Sequence, residues 1–71
     1  MVTSKLFRRH ITWHVARSGL TDAQVAARAG ITRSHFNRIK NGRAIPRIDT
    51  ALAIARALDV KVVDLYREAR H

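Results

Sequence analysis

Residues Leu20 to Gly42 read LTDAQVAARAGITRSHFNRIKNG, and their punctuation decides how the rest of the chain is read. Thr21 and Thr32 are both good helix N-caps, because a threonine hydroxyl can accept one of the free N–H groups of a first turn. Gly30 and Asn41-Gly42 stand where two short helices must stop, and both tolerate the positive φ that such stops use. The spacing predicts one helix over 22–29 and another over 33–40, joined by a tight turn. Val25, Ala26 and Ala29 supply the buried face of the first, Phe36 and Ile39 that of the second. Asp22 in a first turn also complements the positive helix end.

Outward from this pair, apolar residues at 6, 7, 11, 13 and 15 are read as one broad arc of a helix over about 4–17, with Thr3 or Ser4 as cap and Gly19 as stop. Trp13 and His14 are expected in or at the edge of its core face. Arg8, Arg9 and Thr12 take the other side. Such a basic amphipathic helix could also lie on an anionic membrane, but the remaining chain offers a core for it to pack against. After Pro46, which no helix interior accommodates, Ile48, Ala51, Leu52, Ile54, Ala55 and Leu58 recur with a 3.6-residue period and predict a helix over 48–58. Val62, Val63, Leu65 and Tyr66 suggest a fifth helix over about 62–68. Lys61 is a poor cap for it, and Val60–Val63 could instead pair as an edge strand.

Seventy-one residues make one domain with one small core, since a chain of this size buries only about 60% of its unfolded surface. With 46% apolar and 27% charged residues the chain should fold. No cysteine is present, so packing alone must hold it, and no stretch has the apolar length of a signal peptide core or a membrane span. These features fit a cytoplasmic protein. The net charge of +9 and pI near 11.8 on 8.0 kDa favour a polyanionic partner. Most of the cations are Arg, whose planar fork suits bidentate contact to phosphate and to guanine, so nucleic acid leads over acidic membranes and acidic proteins.

Leu20, Thr21, Val25-Ala26, Gly30, Ile31, Ser34, Phe36, Ile39 and Asn41-Gly42, followed by Pro46, Leu52, Ala55, Leu58 and Val60, resemble the lambda-repressor and Cro type of helix-turn-helix proteins. The match spans about Ile11 to Leu65. The resemblance implies an all-α, compact five-helix bundle whose third helix enters the DNA major groove. That groove, about 12 Å wide, admits one α-helix.

Position by position, the family's base-reading sites fall on Arg33, Ser34, Asn37 and Arg38. Arg33 and Arg38 could each grip guanine O6 and N7, and Asn37 adenine N6 and N7. Backbone contacts are expected from Thr21, His35, Lys40, Asn41, Arg43 and Arg47. The family commonly has Gln where this chain has Asp22, so Asp22 is expected to brace the recognition helix by pairing with Arg33. Where some relatives pair a buried Arg with a Glu, this chain has Val15 and Lys40, which predicts an apolar contact with Lys40 pointing outward.

The implied function is sequence-specific regulation of transcription, in the manner of a small phage Cro-type repressor occupying an operator in a prokaryotic cell. A weak homodimer, formed around Val62, Leu65 and Tyr66 or only on adjacent half-sites, is compatible with the sequence. The rivals are an antitoxin or adaptor bound to an acidic protein, and a non-specific architectural DNA binder. No spacing of Ser, His and Asp suggests catalysis. His10 and His14 lie at i, i+4 without a third ligand nearby, so neither a metal nor another cofactor is expected, and no small-molecule substrate.

Overall fold

The computed structural model describes the backbone of residues 4–66 and the side chains of residues 7–66. Four α-helices follow one another in it: α1 (Ser4–Ser18), α2 (Asp22–Ala29), α3 (Arg33–Lys40) and α4 (Ile48–Ala57). A four-residue 3-10 helix, Val62–Leu65, follows. The fifth helix expected over 62–68 is therefore a single 3-10 turn among the described residues, and the remainder of that span lies outside them. Lys61 at its start has no side-chain acceptor to offer; instead the Lys61 N–H donates to Asp64 Oδ2 at 3.2 Å. No strand occurs among the described residues, so Val60–Val63 form turn and 3-10 helix rather than an edge strand.

Local chemistry fixes the helix ends. Thr21 and Gln24 form a reciprocal capping box, with Gln24 N donating to Thr21 Oγ1 at 3.1 Å and Thr21 N to Gln24 Oε1 at 2.8 Å. Thr32 Oγ1 accepts from His35 N at 3.0 Å at the start of α3. The ends of α2, α3 and α4 share one closure, the Schellman pattern of paired 6→1 and 5→2 backbone bonds. Ile31 N donates to Ala26 O and Gly30 N to Ala27 O; Arg43 N to Arg38 O and Gly42 N to Ile39 O; Val60 N to Ala55 O and Asp59 N to Arg56 O. The pivot must be left-handed, and it is Gly30 (φ 74°), Gly42 (φ 76°) and, after α4, Asp59 (φ 58°). Asp59 does without glycine's freedom there, at a modest conformational cost.

Packing brings α2 against α3 and α4, while α1 lies on α3 and on the 3-10 helix, which also rests on α4. The core joins Phe7, Ile11 and Val15 of α1 to Val25 and Ala26 of α2, Phe36 and Ile39 of α3, Ala51, Ile54, Ala55, Ala57 and Leu58, and Leu65. No charged or polar side chain is buried with them among the described residues. Val15 makes an apolar contact face, as expected. Phe7 and Tyr66 meet with ring centroids 4.8 Å apart.

Two helix faces differ from their sequence reading. Trp13 is 55% exposed rather than core. Two residues past Ile11 is about 200° round an α-helix, so position 13 faces away from the Phe7–Ile11–Val15 seam. There the Arg17 guanidinium lies over its ring, 4.6 Å from the centroid, and His14 meets its edge. His14 itself is half-buried; burial pushes its imidazole below the ordinary value, against the opposing charge of Asp64.

On α4, Leu52 shares the apolar period but sits on the rim at 40% exposure, and Ile48 is 71% exposed. Ala51, Ile54, Ala55 and Ala57 are the residues of α4 that reach the core, while Ile48 stands in its first turn and Leu52 at the edge of the buried face. The apolar residues proposed for self-association fare oppositely. Leu65 is fully buried, and Val62 and Tyr66 pack against the core.

Candidate nucleic-acid interface

Helix α3 is anchored on one side only. Phe36 and Ile39 are almost wholly buried, which fixes the rotation of the helix about its axis. At 100° per residue, positions 33, 34, 37, 38 and 41 then fall within one arc on the opposite face. In the structure Arg33, Ser34, Asn37, Arg38 and Asn41 do line one open concavity, joined by Arg43. Arg43 reaches it because the loop folds back on α3: Arg43 N and Ala44 N both donate to Arg38 O, at 2.8 and 3.2 Å. Arg33, Ser34, Arg38, Asn41 and Arg43 are exposed and Asn37 is half-buried. The result is three guanidinium groups, two carboxamides and a hydroxyl facing the same space, with the N-terminal turn of α3 at its edge. Guanidinium and carboxamide groups are the side chains that make bidentate contacts to base edges, and guanidinium also grips phosphate.

The other sequence-predicted residues are placed differently. His35 is exposed but points about 60° beyond the arc and does not line the concavity. Thr21 is exposed, with its hydroxyl oxygen accepting from Gln24 N. Arg47 stands at the N-cap of α4, exposed and without a side-chain cap bond. The expected pairing of Asp22 with Arg33 is replaced by another. Lys40 Nζ donates to Asp22 Oδ1 at 3.1 Å and to Oδ2 at 3.0 Å. Lys40 therefore does not point freely outward. It is the last residue of α3, on the flank that faces α2, and the packing of α2 on α3 brings it to the first residue of α2, whereas Arg33 projects from the opposite end.

One neighbour of the site was not singled out from sequence. A Cβ added at Gly42 would meet the Arg8 side chain at 3.4 Å, so the aliphatic stem of Arg8 lies against the loop that carries Arg43. Its position on α1 opposite the apolar arc gave the only sequence signal, and that signal does not identify the loop it reaches.

A family model described as Helix-turn-helix matches residues 16–65, most of the chain, and the protein belongs to that family. Among curated proteins it is similar to the uncharacterized HTH-type transcriptional regulator y4dL of Sinorhizobium fredii, at 34% identity over 44 residues. The match covers 62% of this chain and 22% of that protein, so this chain spans about a fifth of its relative's length. Among solved structures it resembles the SOS-response transcriptional repressor LexA from Eubacterium rectale, with TM-score 0.86, 26% identity and coverage of 99% of this chain and 78% of that one. The restriction-modification controller protein C.AhdI from Aeromonas hydrophila shares the fold at TM-score 0.82 and 23% identity, covering 86% and 92% of the two chains. The clp gene regulator ClgR from C. glutamicum does so at TM-score 0.84 and 16% identity, covering 89% and 81%. The family and these neighbours are regulators rather than enzymes.

Proposed function

We propose that this helix-turn-helix protein is a sequence-specific double-stranded-DNA-binding regulator of transcription that acts, in the manner of a Cro-type repressor, by occupying its operator. One observation carries the reading. The side chains best suited to base edges, Arg33, Asn37 and Arg38, share with Ser34 a single concavity on the face of α3 opposite its core anchors. In the proposed complex that face enters the major groove. Arg33 and Arg38 read guanine, Asn37 reads adenine, and each good pair contributes roughly 1–3 kcal/mol of discrimination. Asn41 and Arg43 hold the flanking phosphates. Thr21, at the capped start of α2, and Arg47, at the start of α4, add backbone contacts near helix N-termini, where N–H groups favour phosphate. His35 has a flanking backbone role. The relatives' names, a transcriptional regulator and a transcriptional repressor, support the regulatory part of the reading.

Two copies on adjacent half-sites are part of the proposal. Among the described residues the large apolar side chains left outside the core are Trp13, which stacks with Arg17, and Ile45, Ile48, Leu52 and Val63, so self-association would use the last four rather than Leu65 or Tyr66. With a charge of +9 on each copy, duplex DNA is the natural place for such a pair to form. No helix among the described residues is long and apolar enough to cross a membrane. The proposed site of action is the prokaryotic cytoplasm, where the duplex is.

Selection of binding sites from random duplex tests the reading. The expected result is an enriched, two-fold symmetric site whose half-sites lie about 34–36 Å apart, one helical turn. If no site is enriched, sequence-specific regulation is wrong. Equal affinity for all duplexes would leave an architectural binder, and recovery of a stable acidic protein partner in place of a DNA site would favour the adaptor reading.

A further inference from the structure

Asp22 and Lys40 are 18 residues apart in sequence, yet the Lys40 ammonium donates to both carboxylate oxygens, at 3.1 and 3.0 Å. Each side chain is a little over one quarter exposed, at 27% and 28%. The contact joins the first residue of α2 to the last residue of α3. Neither helix end needs it. Thr21 and Gln24 already complete the start of α2, and backbone bonds to Arg38 O and Ile39 O close the end of α3. The pair is thus a tertiary tie across the two helices.

At a surface built to meet phosphates, each partner alone would have a different effect. In sequence Lys40 stands between Arg38 and Asn41, which with Arg43 line the concavity, while Lys40 itself lies on the adjoining flank of α3. A free ammonium there would add a phosphate contact open to any sequence, because backbone contacts carry no sequence information. A free carboxylate after Thr21 would repel the duplex. Paired, the two cancel.

We propose that Asp22 is a specificity-determining residue of the duplex interface, withdrawing Lys40 from the phosphate-binding set while fixing the end of α3 against α2. The proposal rests on the DNA-binding function proposed above. Transfer of Lys40 to a phosphate would strand Asp22 beside a polyanion, so the pair persists in the complex. Less of the affinity is then independent of sequence, and the groove's arginines carry more of the remainder.

Salt dependence separates this from a merely structural role. Each phosphate neutralised contributes about −0.9 to the slope of log affinity against log salt. The measurement is fluorescence-anisotropy titration of the selected site and of random duplex, between 50 and 200 mM salt. Asp22→Ala frees Lys40. Its slope on random duplex should steepen by about 0.9, an extra loss of about 3.5-fold across that range. Its random-duplex affinity at 50 mM should rise several-fold, and its preference for the selected site should fall. The double variant Asp22→Ala/Lys40→Ala removes a pair of zero net charge, so its slope should return to that of the unmodified protein. A double variant shallower by about 0.9 would show that Lys40 touches phosphate after all and overturn the proposal. An unchanged slope in Asp22→Ala would overturn it too. Thermal melts confirm folding first; if the alanine variant does not fold, Asp22→Asn, which keeps the shape and removes the charge, replaces it. If the unmodified protein binds neither duplex, the DNA-binding reading itself fails.

Discussion

Helices α3 and α4 are short, adjacent in sequence and anchored by aliphatic and aromatic residues, yet they present opposite surfaces. α3 buries two large side chains, Phe36 and Ile39, and turns arginines and carboxamides outward. α4 buries Ile54 and three alanines, with Leu58 buried just past its end, and turns Ile48 and Leu52 outward. Their starts differ as well: Thr32 caps α3 with a side-chain hydrogen bond, whereas Arg47 gives α4 none. A helix held by a few large anchors and a firm cap keeps its outer face in one orientation, which is what reading a groove requires. A helix held by many small ones approaches its neighbours closely and serves the core.

The sharpest way to break the contrast is Phe36→Ala. Removing a fully buried phenylalanine costs about 3–5 kcal/mol, and a core this small rarely supplies more than that, so a thermal melt should show little cooperative unfolding at 25 °C. Next come the outward residues of α3. Arg38→Ala should cost about 1–3 kcal/mol on the selected DNA site and relax the preference at one base pair. Arg43→Ala should weaken every duplex alike and reduce the salt slope by about 0.9. Competition binding with single-base variants of the site distinguishes the two; identical behaviour would undo the assignment of α3 as the reading element. Giving α4 the cap it lacks is a smaller effect in the other direction. Arg47→Ser should raise stability by about 0.5–1 kcal/mol in chemical denaturation, while losing one backbone cation on DNA. Smallest of all, Ile48→Gln should change monomer stability by less than about 0.5 kcal/mol, because the side chain is already in water. Sedimentation on DNA checks whether the same change weakens pairing of two copies.

Legibility in the sequence follows the same divide. α2 and α3 were placed to the residue because their boundaries are local chemistry: Thr21, Gly30, Thr32 and Asn41-Gly42 act on groups within a few positions. The four base-reading candidates on α3 come from the family resemblance; helical geometry, with Phe36 and Ile39 buried, adds that they share its outward face with Asn41. α1 and α4 ended within one residue of expectation, at Ser18 and Ala57. What did not show in the sequence depends on distance. Asp22 found Lys40 and not Arg33 because the crossing of α2 on α3, and not the spacing along the chain, sets which charges meet. Trp13 faces outward for a local reason, its place about 200° round α1 from Ile11, whereas the exposure of Leu52 is set by tertiary packing that the period of α4 does not fix.

The repeated corner after α2, α3 and α4 has a kinetic consequence. Every bond that closes these three corners spans five residues or fewer, so each helix end can form before any helix has found its neighbour. The remaining search is over a few angles between preformed segments. Chains of such local character fold in microseconds to milliseconds, and this protein should regain its native state on that timescale after a temperature jump or dilution from denaturant.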